Sequence, residues 1–142
     1  MSRIQLALNV SDIDAAVTFY EKVFATPAAK RRPGYANFAI AEPPLKLVLI
    51  ESTGGGSLNH LGVEVFGTPE VNAATNRFVD AGLTTYGEQG VECCYAKQDK
   101  SFVTDPDGTE WEFYTVLADS DTKGPASDRD GECCRTEEPA LQ

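Results

Sequence analysis

The chain has 142 residues, 42% hydrophobic and 24% charged, which suits one globular domain or two small modules sharing a core. Twenty-two acidic residues against 12 basic ones give a formal net charge of −10. That excludes a nucleic-acid binder, which needs a basic face. No apolar run approaches the roughly 18 residues of a membrane span, and the first 20 residues carry no basic-then-apolar leader. A cytoplasmic protein with no membrane or nucleic-acid partner is expected.

Gln5–Val10 alternates strictly, with Leu6, Leu8 and Val10 on one face, and so predicts a half-buried strand. A helix follows, opening at Ser11 with Asp14 as capping-box partner, and Ile13, Val17, Tyr20 and Phe24 form its apolar stripe. Strands are then predicted near Ala28–Arg31, over Tyr35–Ile40 and over Lys46–Glu51. Gly54-Gly55-Gly56-Ser57 reads as a linker.

The pattern then starts again, with an offset of 55 residues. His60–Val65 alternates as Gln5–Val10 does, Leu61, Val63 and Val65 answering Leu6, Leu8 and Val10. Thr68 is the expected N-cap of a second helix, Pro69 its first residue, and Val71, Ala74 and Phe78 its apolar face. Gly82 stands where a helix end takes a left-handed residue. Strands follow over Thr84–Glu88, Tyr95–Thr104 and Glu110–Val116, the last two joined by the turn Asp105-Pro106-Asp107-Gly108. The order strand, helix, three strands occurs twice. Module one spans 1–53, the linker 54–57 and module two 58–118.

Residues 119–142 carry seven acids, three bases and almost nothing apolar beyond Leu141. Such a stretch cannot offset its ordering entropy by burial, so an acidic disordered tail is expected there.

The alternation also places the polar residues. Gln5, Ala7 and Asn9 share one face of the first strand, and His60, Gly62 and Glu64 the matching face of its counterpart. In the closing strand Trp111 and Phe113 read as core, which puts Glu112 on the open side. Each of Gln5, His60 and Glu112 taken singly reads as a solvated or hydrogen-bonded strand residue. Gln5 and His60, however, occupy equivalent places in two related halves, where a site on a pseudo-twofold axis would gather them with Glu112.

With these residues in place, the sequence from 3 to about 117 resembles the vicinal oxygen chelate superfamily, the glyoxalase and bleomycin-resistance fold. The resemblance is carried by Gln5–Val10, by Asp14–Tyr20, by His60–Val63, and by Phe102–Gly108 running into Trp111-Glu112-Phe113. It implies an α+β fold of two βαβββ modules whose curved mixed sheet encloses a metal-binding concavity. It implies Gln5, His60 and Glu112 as the metal ligands. The matching stretch of module one, Leu45–Ile50, offers only Lys46 among apolar residues. Three protein ligands leave positions open for substrate or dioxygen.

Cys93-Cys94 reads either as two small buried hydrophobes or as a bidentate soft-donor site. Adjacent Cα atoms lie about 3.8 Å apart, short of the ~4.4 Å usual for a disulfide, so the two are not expected to bond to each other. A zinc knuckle would need further partners, and the only other cysteines are Cys133 and Cys134. The polar segment Gly87–Glu92 puts the pair on a mobile, accessible loop, where two thiols suit trivalent arsenic.

A vicinal-oxygen-chelate body with a thiol pair at this place resembles the organoarsenical carbon–arsenic lyases, as does Ala36–Lys46. That resemblance implies a non-haem iron(II) dioxygenase. Cys93 and Cys94 would hold a methyl or aromatic trivalent arsenical, the metal on Gln5, His60 and Glu112 would take dioxygen, and arsenite would leave. Glutamine at position 5 is shared with glyoxalase relatives that use nickel or zinc, which stand as non-native occupants. A non-catalytic drug- or arsenical-binding resistance protein and a glyoxalase-type isomerase are the alternatives. A homodimer is possible. Tyr95, Lys97 and Lys100 lie close enough in sequence to line the Cys93-Cys94 loop, but read at least as readily as solvated strand residues, and receive no role.

Overall fold

The structure, a computed structural model, describes residues 2–121. The acidic tail therefore lies, from residue 122 on, outside the described residues, with Cys133 and Cys134 in it. Two compact units divide the described residues: Arg3–His60, and Leu61–Asp121 with Ser2.

In the first unit β1 (Ser2–Val10), α1 (Ile13–Phe24), β2 (Lys30–Arg32), β3 (Tyr35–Ile40) and β4 (Leu45–Glu51) follow in order. The sheet runs β2-β3-β4-β1. β1 lies parallel to β4 and the other neighbours are antiparallel. A parallel pair requires a crossover, which α1 supplies. Ile13 and Val17 of α1 pack with Phe38, Leu47 and Leu49, and half-buried Leu6, Leu8 and Tyr20 close the cluster. The cap of α1 falls one residue later than the sequence suggests. Asp12 accepts from the Ala15 amide at 3.0 Å, while Asp14 is taken by Arg31 at 2.6 Å.

The glycine run after β4 is a packed turn and not a flexible linker. Gly56 donates to Asn9 O at 2.8 Å with φ +90, and a Cβ on Gly55 would lie 2.5 Å from the Ser11 amide nitrogen. Side chains are excluded there by the β1–α1 corner.

Module two repeats the topology with β5 (Ser57–Val65), α2 (Thr68–Asp80), β6 (Tyr86–Cys93), β7 (Ala96–Thr104) and β8 (Glu110–Asp119). The order is β5-β8-β7-β6, again with the first strand parallel to the last. The α+β reading of two βαβββ modules in mixed sheets holds. Phe78 of α2 meets Phe113 edge-on at 5.2 Å, so the aromatic face of β8 is half-buried beneath the helix. Thr68 does not cap α2. Its hydroxyl donates to Asp99 Oδ2 at 2.7 Å, and Gly67 takes the cap position without a side-chain bond. Gly82 is left-handed at φ +81, as its place predicts.

β6 and β8 are longer than the sequence suggests. A bulge between Glu88 and Val91 carries β6 on to Cys93, with Gly90 at φ +63 and its amide on Asp99 Oδ1 at 2.7 Å. β8 continues to Asp119, so residue 119 is strand and not part of the expected tail. Ser120 still donates to Tyr95 O at 3.0 Å. Among the described residues no helix is long and apolar enough to cross a membrane.

Candidate functional site

Gln5, Ala7 and Asn9 are buried on β1, on the face opposite Leu6 and Leu8. The side chain of Gln5 reaches His60, the two Nε2 atoms lying 3.2 Å apart in a buried contact. That is the separation of two neighbouring donors each about 2.1 Å from one divalent ion. The other face of the imidazole is held too, with Nδ1 2.8 Å from Asn59 Oδ1. No three His, Cys, Asp or Glu side chains form a metal cage among the described residues. A metal here therefore needs a donor of another kind, and the Gln5 amide is the one against His60. Its Oε1 becomes the donor once the amide turns over, so this pair fits a divalent metal.

Glu112 of β8 lies in the second unit and is 3% exposed. Its Oε1 accepts from the Lys100 ammonium at 2.9 Å. Lys100 Nζ also lies 3.0 Å from Cys93 Sγ, and the lysine is itself 3% exposed. One buried cation thus joins the carboxylate to the sulfur. A carboxylate has two oxygens, so the lysine on Oε1 does not exhaust Glu112 as a ligand. Register explains the geometry: Phe102 faces Glu112 and Lys100 faces Tyr114 across β7 and β8, which makes Lys100 and Glu112 diagonal neighbours on one face. Glu88 stands directly across from Lys100 in the β6–β7 pair.

Of the two readings open for Lys100, the solvated one does not hold. The signal was present in the sequence, because a short turn at Asp105–Gly108 fixes the hairpin register, and counting back from it sets Lys100 beside Glu112. Lysine is so often solvated that alternation alone does not reveal the buried one.

The sulfur pair is not on an open loop either. Cys93 ends β6 with no exposed surface, and Cys94 and Tyr95 are the two central residues of a tight hairpin to Ala96. Both have positive φ, 52 and 64, the type I′ geometry that usually takes Asn-Gly. Two ordinary side chains in this conformation are strained, and surrounding contacts must hold them. Gln98 contributes, donating Nε2 to the Cys93 carbonyl at 2.6 Å. The sulfurs lie 3.7 Å apart, too far to be bonded to each other, in line with the expectation from adjacency.

The two modules differ at one matching register position. Gly62 pairs with Glu112 in module two, and its counterpart Ala7 pairs with Val48 in module one. Val48, buried and apolar, stands where module two has its carboxylate.

Sequence comparison matches residues 3–113 to the Glyoxalase/Bleomycin resistance protein/Dioxygenase superfamily. The chain belongs to this superfamily. It is 54% identical over 136 residues to a "Trivalent organoarsenical cleaving enzyme" of Thermomonospora curvata, covering 94% of this chain and 89% of that one. It is 62% identical over 125 residues to "Cadmium-induced protein CadI" of Mycobacterium tuberculosis, covering 87% and 82%. Among solved structures, an extradiol ring-cleaving dioxygenase from B. fuscum superposes with a TM-score of 0.62 at 20% identity, over 84% of this chain and 34% of that one. A Mn(II)-bound glyoxalase from Novosphingobium aromaticivorans gives 0.61 at 19% identity, over 84% and 42%. At such identities the superfamily likeness is one of fold.

Proposed function

We propose that this superfamily member cleaves the carbon–arsenic bond of trivalent organoarsenicals, methyl or aromatic, with dioxygen as oxidant, so that the carbon leaves as an oxidised fragment and the arsenic as arsenite. The observation that carries the reading is the Lys100 ammonium, within 3.0 Å of both Cys93 Sγ and Glu112 Oε1. In this reading a sulfur suited to arsenic stands one side chain away from a carboxylate suited to a metal. The relatives named for organoarsenical cleavage support it.

Capture follows from the thiol chemistry. Once reduced, Cys93 and Cys94 replace the two hydroxyls of an organoarsenous acid, forming two As–S bonds and releasing two waters. Two sulfurs from adjacent residues act as a chelate, so the second bond forms at high effective concentration. Gln5, His60 and Glu112 hold the metal in this reading, as one neutral oxygen, one imidazole nitrogen and one carboxylate. When bound, iron(II) supplies the one-electron chemistry that lets dioxygen react with a closed-shell carbon–arsenic bond. Nickel and zinc fit the same donors without that chemistry. Lys100 holds the Glu112 carboxylate and Cys93 sulfur in place, and all three are buried, which limits access of water. A cytoplasmic location, where thiol pools keep cysteines reduced, fits the need for a dithiol.

The relative named for cadmium induction favours a second reading, in which the sulfurs bind a soft metal or arsenical without turnover. One experiment separates the two. The protein is reduced, reconstituted with iron(II) without oxygen, loaded with a trivalent methyl or phenyl arsenical, and then given dioxygen. Arsenite release in step with oxygen uptake is expected. Stoichiometric arsenical binding without arsenite release would establish the binding protein instead.

A further inference from the structure

Beyond the ligand set, the first unit contains a run of hydrogen bonds that fixes the chemistry of its histidine. Ser57 Oγ lies 2.6 Å from the Gly54 carbonyl. A carbonyl only accepts, so the serine hydroxyl must donate to it. Ser57 Oγ then accepts from Asn9 Nδ2 at 2.9 Å, which turns Asn9 Oδ1 toward Asn59. Asn59 donates Nδ2 to that oxygen at 2.9 Å and so presents Oδ1 to His60 Nδ1 at 2.8 Å. An amide oxygen has no proton to give, so His60 must supply one from Nδ1. Its Nε2 is left as the bare lone pair, and Gln5 meets it with an amide N–H at 3.2 Å. All five hydrogen bonds point one way, from Gln5 to the backbone carbonyl of Gly54.

We propose that Asn59, oriented through Asn9 and Ser57, is a positioning residue that locks His60 in the Nδ1–H tautomer with Nε2 presented to a metal. Three observations support a built arrangement. Asn9 and His60 are both buried, at 7% and 6% exposure, so water competes poorly for their polar atoms. The acceptor-only carbonyl removes the ambiguity that amide and imidazole rotations otherwise leave. The Gly54–Ser57 turn that supplies this carbonyl is itself held against β1, by the Gly56 amide on Asn9 O at 2.8 Å. Free imidazole favours the proton on Nε2, which would block that nitrogen as a donor. Holding the other proton position is what second partners of metal-bound histidines commonly do. Without metal, the Gln5 amide caps the lone pair. With metal, it must turn over to offer Oε1, which an amide can do and a fixed cation could not.

His60 is the one histidine of the chain, so its imidazole signals are unambiguous. The test is nitrogen-resolved imidazole NMR on the metal-free full chain, at a pH well above the ordinary imidazole range. The wild type should carry its proton on Nδ1. Asn59→Ala should move the population toward Nε2–H. Asn59→Asp should keep Nδ1–H, since a carboxylate also accepts from it and the Asn9 amide can reverse. Ser57→Ala should give a partial shift.

Cobalt(II) titration forms a second arm, and only this arm rests on His60 being a metal ligand. Asn59→Ala should weaken cobalt binding by about 10–100-fold, with Asn59→Asp restoring it. Nε2–H in the wild type, or an unchanged tautomer in Asn59→Ala, overturns the lock. A shifted tautomer with unchanged cobalt affinity overturns the positioning role. A locked tautomer in a wild type that binds no cobalt supports the lock and removes the metal reading instead. If Asn59→Ala does not fold, Ser57→Ala and Asn59→Asp decide the question.

Discussion

Module one and module two are the same fold written twice, yet their buried polar faces are built from different chemistry. Module one carries neutral groups: the amides of Gln5 and Asn9 on β1, with Val48 at the register position of a carboxylate. Module two carries a buried cation, Lys100, between a carboxylate and a sulfur. Topology constrains the backbone, and the same crossover recurs because a parallel first and fourth strand demands it. The side chains of the polar face are not so constrained. Divergence there costs little in the neutral module and much in the charged one, because a buried ion tolerates no loss of its partner.

The largest effect expected is at His60, the module-two residue that Gln5 of module one faces. His60→Ala removes the only imidazole of the chain and with it the donor that Gln5 faces. Stoichiometric binding of iron(II) or cobalt(II) should be abolished, and turnover with it. Calorimetric titration and metal analysis after desalting are the checks. Unchanged affinity at one metal per chain would place the site elsewhere.

The sulfur pair gives the next effect, and it splits in a way the sequence did not suggest. In the reduced protein, Cys93→Ser and Cys94→Ser should each lose retention of a trivalent arsenical, because one sulfur forfeits the chelate. Their stabilities should differ. Cys94, half-buried at the hairpin, should change by no more than about 0.5 kcal/mol. Cys93, without exposed surface and beside Lys100, should cost about 1–3 kcal/mol. Arsenic content after desalting and urea unfolding under reductant measure the two. Full arsenical retention by either variant would end the chelation scheme.

These expectations show what the sequence made legible. Strict alternation in Gln5–Val10 and His60–Val65, and the repeat between them, are enough for the two-module topology and for setting Glu112 on the face opposite Trp111 and Phe113. Periodicity reports faces but not which is the more buried: Glu112 is buried, whereas Trp111 and Phe113, which read as core, are half-buried. It does not report how a chain passes through an irregularity. Gly87–Glu92 read as a loop because its glycines and charges carry no alternation, whereas a bulge at Glu88/Val91 lets β6 run on to Cys93. Nor does it report competition for a hydroxyl. Thr68 was the natural cap for α2 until Asp99, distant in sequence, claimed its side chain.

Lys100 tests the charged side. Lys100→Met keeps length and apolar stem but leaves Glu112 as a buried carboxylate without its ammonium. A loss of about 3–5 kcal/mol is expected, in the range for one broken half of a buried pair. The double variant Lys100→Met/Glu112→Gln should recover much of that stability, because the stranded charge is gone. Equilibrium urea unfolding of the singles and the double completes the cycle. A near-neutral Lys100→Met would mean that Glu112 finds another partner and that the ammonium is not what holds it.

The smallest effect comes from the helix starts, where the modules differ most simply. α1 is capped by Asp12, whose carboxylate accepts from the Ala15 amide, whereas Gly67 gives α2 no side-chain bond. Gly67 has extended backbone, φ 167, which any residue adopts. A Cβ there would meet only the Glu70 Oε1 atom closely, at 2.6 Å, the movable end of a flexible side chain. Gly67→Ser would therefore fit, and it would create Ser-Thr-Pro-Glu over positions 67–70, a capping box with Glu70 in the third helical position. Because glycine is already a tolerable cap, the gain should be a few tenths of a kcal/mol. That corresponds to a rise of about 1 °C in melting temperature. Differential scanning calorimetry of reduced protein measures it. Replacing Asp12 by alanine should cost about 1 kcal/mol, so the pair of variants asks whether the two helix starts differ by one side-chain hydrogen bond. A melting temperature lowered by Gly67→Ser would show that Glu70 cannot move aside, and that α2 starts where it does for the sake of that carboxylate.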